Sequence, residues 1–197
     1  MALFTESQIK DRYQQEYRSR IRATRSFSAS TILNENRQIA ESKGEYDIFL
    51  SHCSNDNEII AGLTLLLQDL GYSVYVDWCD PKLDRDRVSP ETAAILRERM
   101  KQSKSLIYAF SDNASNSKWM PWELGYFDGL NSSRIAILPI SHSVKNSFKG
   151  TEYVGLYFYI QYTINNANKK ELYVHDGDCY VDFSSWLKGK KPFKHTI

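Results

Sequence analysis

The sequence predicts an α/β protein built on a parallel sheet with helices on both faces. Three observations predict it. From residue 45 onward, short apolar runs alternate with segments of helical periodicity, the pattern of successive strand–helix–strand units. The run Ser105-Leu106-Ile107-Tyr108-Ala109-Phe110 has the length and apolarity of a strand buried on both sides. Turn and cap residues, Gly71 and then Ser89-Pro90, stand where such helices should stop and start.

The elements follow in order. Residues 1–44 are polar and arginine-rich, with Ile9, Tyr13, Tyr17 and Ile21 recurring every fourth position, so they read as an appended helical extension ahead of a domain over 45–197. Arg18, Arg20, Arg22 and Arg25 are balanced by Glu6, Asp11 and Glu16, which makes them a solvated helix face, and the extension's leading use is oligomerisation. Tyr46 to Ser51 form the first strand. Ile59, Ile60, Leu63, Leu66, Leu67 and Leu70 share one helical face, opened by Asn55 and Glu58 at capping-box spacing and closed by Gly71. Residues 73–77 form the second strand, 78–88 a polar loop, and Ser89-Pro90 start a helix that runs to about residue 102. After the strand at 105–110 comes a helix holding Trp119, Trp122, Glu123, Leu124 and Tyr126, then a fourth strand over 134–140. Beyond it, 153–162 and 171–174 read as short strands or a helical turn, Asp176-Gly177 as a tight turn, 183–187 as a last helix, and Lys188, Lys190, Lys191 and Lys194 as a solvated end.

Composition narrows the function. The 197 residues suit one domain with a short extension, and 42% hydrophobic with 25% charged residues excludes a disordered chain. A net charge of +1 argues against a nucleic-acid binder that relies on neutralising phosphates. Cys53, Cys79 and Cys179 are too widely spaced for a zinc knuckle or a disulfide framework, and His175, Asp176, Asp178 and Cys179 are better explained by a turn than by a metal. The start lacks a secretory pattern and no apolar run approaches the roughly 18 residues of a membrane span, so the expectation is a cytoplasmic chain without membrane contact. Neither GxGxxG, GxxxxGK[ST] nor GxSxG occurs, which removes a Rossmann dinucleotide site, a P-loop and a serine-hydrolase elbow.

In an open parallel sheet, ligands collect outside the carboxyl ends of the strands. That rule selects Ser51-His52-Cys53, Asp77-Trp78 and Ser111-Asp112, with Trp119, Trp122 and Glu123 brought to the same rim by the following helix. Phe49 and Ser51 are assigned to opposite faces of their strand, one packing in the core and the other reaching the site. Asp77 is read equally as a ligand-orienting group and as a cap of its loop.

Three blocks in this order, Tyr46-Asp47-Ile48-Phe49-Leu50-Ser51-His52, Gly71-Tyr72-Ser73-Val74-Tyr75-Val76-Asp77 and Ser117-Lys118-Trp119-Met120-Pro121-Trp122-Glu123-Leu124, resemble the successive signatures of the Toll/interleukin-1 receptor (TIR) domain family. The resemblance spans about residues 45–140 and is nearest to small stand-alone bacterial members. It implies a flavodoxin-like fold with five parallel strands, and a loop after the second strand, 78–88 with Arg85 and Arg87, that mediates association with other TIR protomers. It also implies NAD as substrate, with no separate cofactor and no metal, cleaved between nicotinamide and ribose by the glutamate of a WxxxE motif, here Trp119 and Glu123. Glycosidic cleavage passes through an oxocarbenium-like centre, which a carboxylate held against the ribose stabilises. Near a helix N-terminus Glu123 is expected to stay ionised. Phe49, Ser51, His52, Asp77, Trp78, Ser111 and Trp119 are then the expected substrate-binding set. Short members of this kind resemble the signal-producing component of Thoeris-type antiphage defence, whose cyclic nucleotide reaches a separate effector. The same fold and motif also suit a non-catalytic adaptor, or a module interfering with host signalling, that acts through TIR–TIR association.

Overall fold

The computed structural model describes residues 1–24, 28, 30–31, 34–35, 44–80, 82–83, 88–150, 152–164 and 168–194. Five strands, β2 (Tyr46–Ser51), β3 (Val74–Tyr75), β4 (Ser103–Phe110), β5 (Ile135–Ser141) and β6 (Phe158–Ile164), pair in parallel in the order β3-β2-β4-β5-β6. This is the expected doubly wound sheet. β7 (Lys170–Asp176), β8 (Cys179–Asp182) and β9 (Phe193–Lys194) continue it in antiparallel fashion. Gly177, at φ +58, makes the tight turn between β7 and β8.

Strand alternation sorts the core into two layers. Ile48, Leu50, Ile107, Ala109, Ala136 and Leu138 face α1 (Glu6–Thr24) and α2 (Asn57–Asp69). Phe49, Leu106, Tyr108, Ile135 and Ile137 face α3 (Pro90–Lys101) and α4 (Trp119–Asn131). Phe49 and Ser51 therefore share the α4 face, contrary to the assignment from sequence, because residues two apart on a strand point the same way. α5 (Phe183–Leu187) begins at Asp182, whose carboxylate accepts from the Ser185 N–H, and buries Phe183 and Trp186 in the first layer.

The stripe Ile9, Tyr13 and Tyr17 lies against α2, with Ile9 wholly buried. Arg12 locks the two helices by donating to Asp69 at 2.7 and 3.1 Å. They approach so closely at Gly62 that a Cβ there would lie 2.2 Å from the Ile9 carbonyl oxygen. Just ahead, β1 (Phe4–Thr5) pairs in parallel with Ile140 and Ser141 of β5, and Ala2 exchanges both backbone hydrogen bonds with Tyr162 of β6. The amino-terminal helix thus belongs to the same core as the sheet. Of its arginines, Arg25 lies outside the described residues.

Candidate active site

α4 is aimed by its sequence. Met120, Leu124 and Phe127 recur at helical spacing and are buried against the sheet, and Glu123 falls within that stripe. The carboxylate is therefore 0% exposed rather than on the surface. Ser51 Oγ, at the carboxyl end of β2, donates to Glu123 Oε2 over 2.6 Å. A buried hydroxyl–carboxylate pair of this length is a charge-assisted bond that fixes the carboxylate's orientation.

The neighbouring rim residues are packed and paired as well. His52 is buried, with Nδ1 3.0 Å from the Leu50 carbonyl oxygen, which can only accept, so Nδ1 carries a proton. Its Nε2 faces Asp77 Oδ1 at 3.6 Å. Asp77 opens a 3-10 turn, Asp77–Cys79, after β3 and is itself buried. Phe49 packs on Tyr75, ring centroids 5.3 Å apart. Trp119 and Trp78 are part-exposed, and Trp119 meets Trp122 edge to face at 5.4 Å. Ser111 donates to Asp56 Oδ2 at 2.5 Å. Arg85 and Arg87 lie outside the described residues.

Two anchors were missed from the sequence. The capping box expected of Asn55 and Glu58 is not how α2 starts: Asp56 holds the N-cap position and makes no side-chain cap. Its buried carboxylate instead accepts from Ser111 and, at 2.6 Å, from Asn113, tying the loop after β2 to the loop after β4. The second anchor holds the base of the 78–88 loop. Buried Asp80 accepts twice from Arg99 at 2.9 Å, from the Tyr75 hydroxyl at 3.2 Å and from the Lys82 N–H. The Tyr75 phenol is pushed far above its ordinary range, by burial first and then by Asp77 and Asp80.

Outside this buried set, exposed His142 bridges Asp112 at 2.7 Å and Glu6 at 2.8 Å. Its pKa is raised, chiefly by the bond to Asp112. A surface groove of about 830 Å³, lined by Arg12, Arg18, Arg22 and Lys170, follows α1 on the opposite side of the sheet from Glu123. Volume would favour that groove; the converging carboxylate, hydroxyl and imidazole favour the rim. Among the described residues, no group of three or more His, Cys, Asp or Glu could hold a metal ion, and no helix is long and apolar enough to cross a membrane.

Fold and site together define a flavodoxin-like α/β domain in which the edge at the carboxyl ends of the strands carries a buried, hydroxyl-held carboxylate. Residues 48–172 match the TIR domain family model, and the chain belongs to that family. It is 44% identical over 192 residues to a protein named probable 3′ cyclic ADP-D-ribose synthase ThsB′, from Bacillus cereus (strain MSX-D12), covering 95% of this chain and 99% of that one. It is 32% identical over 99 residues to a putative cyclic ADP-D-ribose synthase TIR2 of Cytobacillus dafuensis, covering 49% and 26%. With the probable 2′ cyclic ADP-D-ribose synthase TcpB of Brucella abortus (strain 2308) the identity is also 32%, over 109 residues covering 53% and 40%.

Proposed function

We propose that this protein cleaves NAD between nicotinamide and ribose and closes the remaining ADP-ribose into a cyclic isomer, with Glu123 as the carboxylate at the reacting centre. The observation that carries this reading is the complete burial of Glu123 with its Ser51 hydrogen bond at the ligand edge, within the WxxxE motif. As the bond from C1′ to the nicotinamide nitrogen breaks, the electron pair leaves with the ring, which departs neutral and needs no proton. Positive charge then builds on the ribose, where a fixed carboxylate in a low-dielectric pocket is most effective. The nucleophile, a ribose hydroxyl of the same molecule or water, bonds to C1′ and gives up its proton to the carboxylate. An enclosed site favours the internal hydroxyl by excluding water.

The 3′ isomer is the proposed product, following the relative that is matched over nearly its full length. Part-exposed Trp119 and Trp78 are the proposed stacking contacts for NAD. Ser51, His52, Asp77 and Ser111 hold the groups around them, and Phe49 packs beneath Tyr75. No cofactor or metal enters the scheme. Association with further TIR protomers through the 78–88 loop, a separate effector reached by the diffusible product, a role in antiphage signalling and a cytoplasmic location complete the proposal; free Cys53 and Cys179 suit a reducing compartment.

The test is mass spectrometry of the products formed from NAD by the wild type and by Glu123→Gln, at low and high protein concentration. The wild type should release nicotinamide with a cyclic isomer, and the variant should be slower by at least about 100-fold, the scale of losing one electrostatic stabiliser. Intact NAD in oligomeric wild type would assign the protein to non-catalytic association instead.

A further inference from the structure

The groove along α1 takes no part in the proposed reaction. On that helix Gln8, Arg12, Gln15, Ser19 and Arg22 recur at alternating spacings of four and three, so they form one stripe beside the packed stripe of Ile9, Tyr13 and Tyr17. The stripe rises about 21 Å from Gln8 to Arg22. It lines a groove of about 830 Å³, to which α2 adds Leu66 and the start of β7 adds Lys170. Leu66 belongs to the first core layer, so the groove lies across the sheet from Glu123.

The charges of this wall balance in the sequence but not in the fold. Glu6 is taken by Lys10, and Glu16 is shared by Arg12 and Arg20. Arg12 donates three of its five N–H groups to Asp69 and Glu16. Arg18 and Arg22, exposed and one turn apart, make no ion pair among the described residues. Lys170 is half-buried, its ammonium 5.0 Å from the centre of the Tyr162 ring, whose hydroxyl accepts from Gln8 at 2.7 Å. Four cations thus line one concavity, where Asp11 is the single acidic side chain, on a chain whose net charge is +1. Like charges gathered in a cleft raise the local concentration of anions. Burial lowers the Lys170 pKa, the sign of an ammonium that has given up part of its water and gains from an anionic partner.

Size and spacing narrow the ligand. A concavity of this volume suits a small molecule, for which sites run to about 300–1,000 Å³. Arginines four apart on a helix hold their Cβ atoms about 6 Å from each other, close enough for two guanidinium forks to take neighbouring phosphates. Gln14, Gln15 and Ser19 place donors and acceptors between these arginines and the Lys170 end, of the kind that sugar hydroxyls and base edges require. We propose that the groove between α1, α2 and β7 binds a nucleotide through its pyrophosphate, with Arg18, Arg22 and Lys170 on the phosphate oxygens. This site is separate from Glu123 and does not rest on the role given to that carboxylate. Its ligand ties α1 to the edge of β7.

Hydrogen exchange followed by mass spectrometry locates such binding without turnover, with ADP-ribose and inorganic pyrophosphate as probes. Both should protect the peptides that cover α1 and the start of β7, ADP-ribose at the lower concentration, and adenosine, which has no phosphate, should protect neither. Arg18→Glu combined with Arg22→Glu alters two exposed side chains outside the core, so the fold is kept. In that variant the ADP-ribose concentration that half-protects α1 should rise at least about ten-fold, the scale of losing a charge-assisted contact. Lys170→Gln should raise it by a smaller factor. Absence of protection over α1 and β7 with both phosphate probes, or an unchanged half-protecting concentration in the double variant, would overturn the site. Protection confined to the peptides holding Ser51 and Glu123 would overturn it equally, by placing the nucleotide at the rim alone. A chain that never releases nicotinamide but shows the α1 protection would keep this site and remove the NAD-cleaving reading.

Discussion

The rim of the sheet has an inner and an outer set of polar contacts, and they are built on opposite principles. Inside, Glu123, Asp56, Asp77 and Asp80 are buried and held by Ser51, by Ser111 and Asn113, beside His52, and by Arg99. Outside, Asp112, His142 and Glu6 meet in solvent, with His142 and Asp112 more than 70% exposed. Desolvated groups lose heavily when one partner is removed, whereas exposed charges are screened and exchange their partner for water. The inner set therefore fixes the geometry of the rim. The outer set decorates it.

That contrast is tested first at Arg99. Arg99→Ala leaves the buried Asp80 carboxylate without its cation and should cost about 3–5 kcal/mol in urea unfolding. Asp56→Ala, which strips one acceptor from both Ser111 and Asn113, should cost about 2 kcal/mol in the same measurement and raise hydrogen exchange in the loops after β2 and β4. A smaller effect is expected of Ser51→Ala: with the buried Glu123 carboxylate stripped of its hydroxyl donor, unfolding should cost about 1 kcal/mol less and kcat should drop about ten-fold. At the outer rim, His142→Asn should leave stability unaltered. Because the His142 pKa is raised, its bridge is fully present below the unfolded value near 6.5 and is lost as pH rises through the folded one. An NMR titration of the imidazole in wild type, Asp112→Asn and Glu6→Gln should show the larger fall in pKa for Asp112→Asn.

Much of the inner set was legible as residue types and little of it as directions. Four of the five parallel strands could be read because each is a largely apolar run, whereas the fifth falls in a stretch read as short strands or a helical turn; Glu123 could be read because it lies in a motif. Its burial was not read, although positions 120, 124 and 127 frame it at helical spacing. Asp56 was not: capping-box spacing fits Asn55 and Glu58 equally well, and only the approach of β4 decides that a carboxylate turns away from its own helix. The pairing of Asp80 with Arg99 spans a loop and a whole helix, which no local pattern encodes. The period of two, applied strictly, would have placed Phe49 beside Ser51. Likewise the stripe on α1 was visible from its spacing, but nothing in the spacing says that it meets α2.

The pairing of β1 with β5 also sets a schedule for synthesis. Phe4 leaves the ribosome about 136 residues ahead of its partner Ile140, roughly ten seconds at ordinary elongation rates. α2 emerges early enough for Ile9 and Tyr13 to dock and leave water, while the two residues of β1 wait for the sheet to reach its fourth parallel strand. A segment made long before its partner is thus among the last to be sealed, and β1 acts as a closing stitch of the fold.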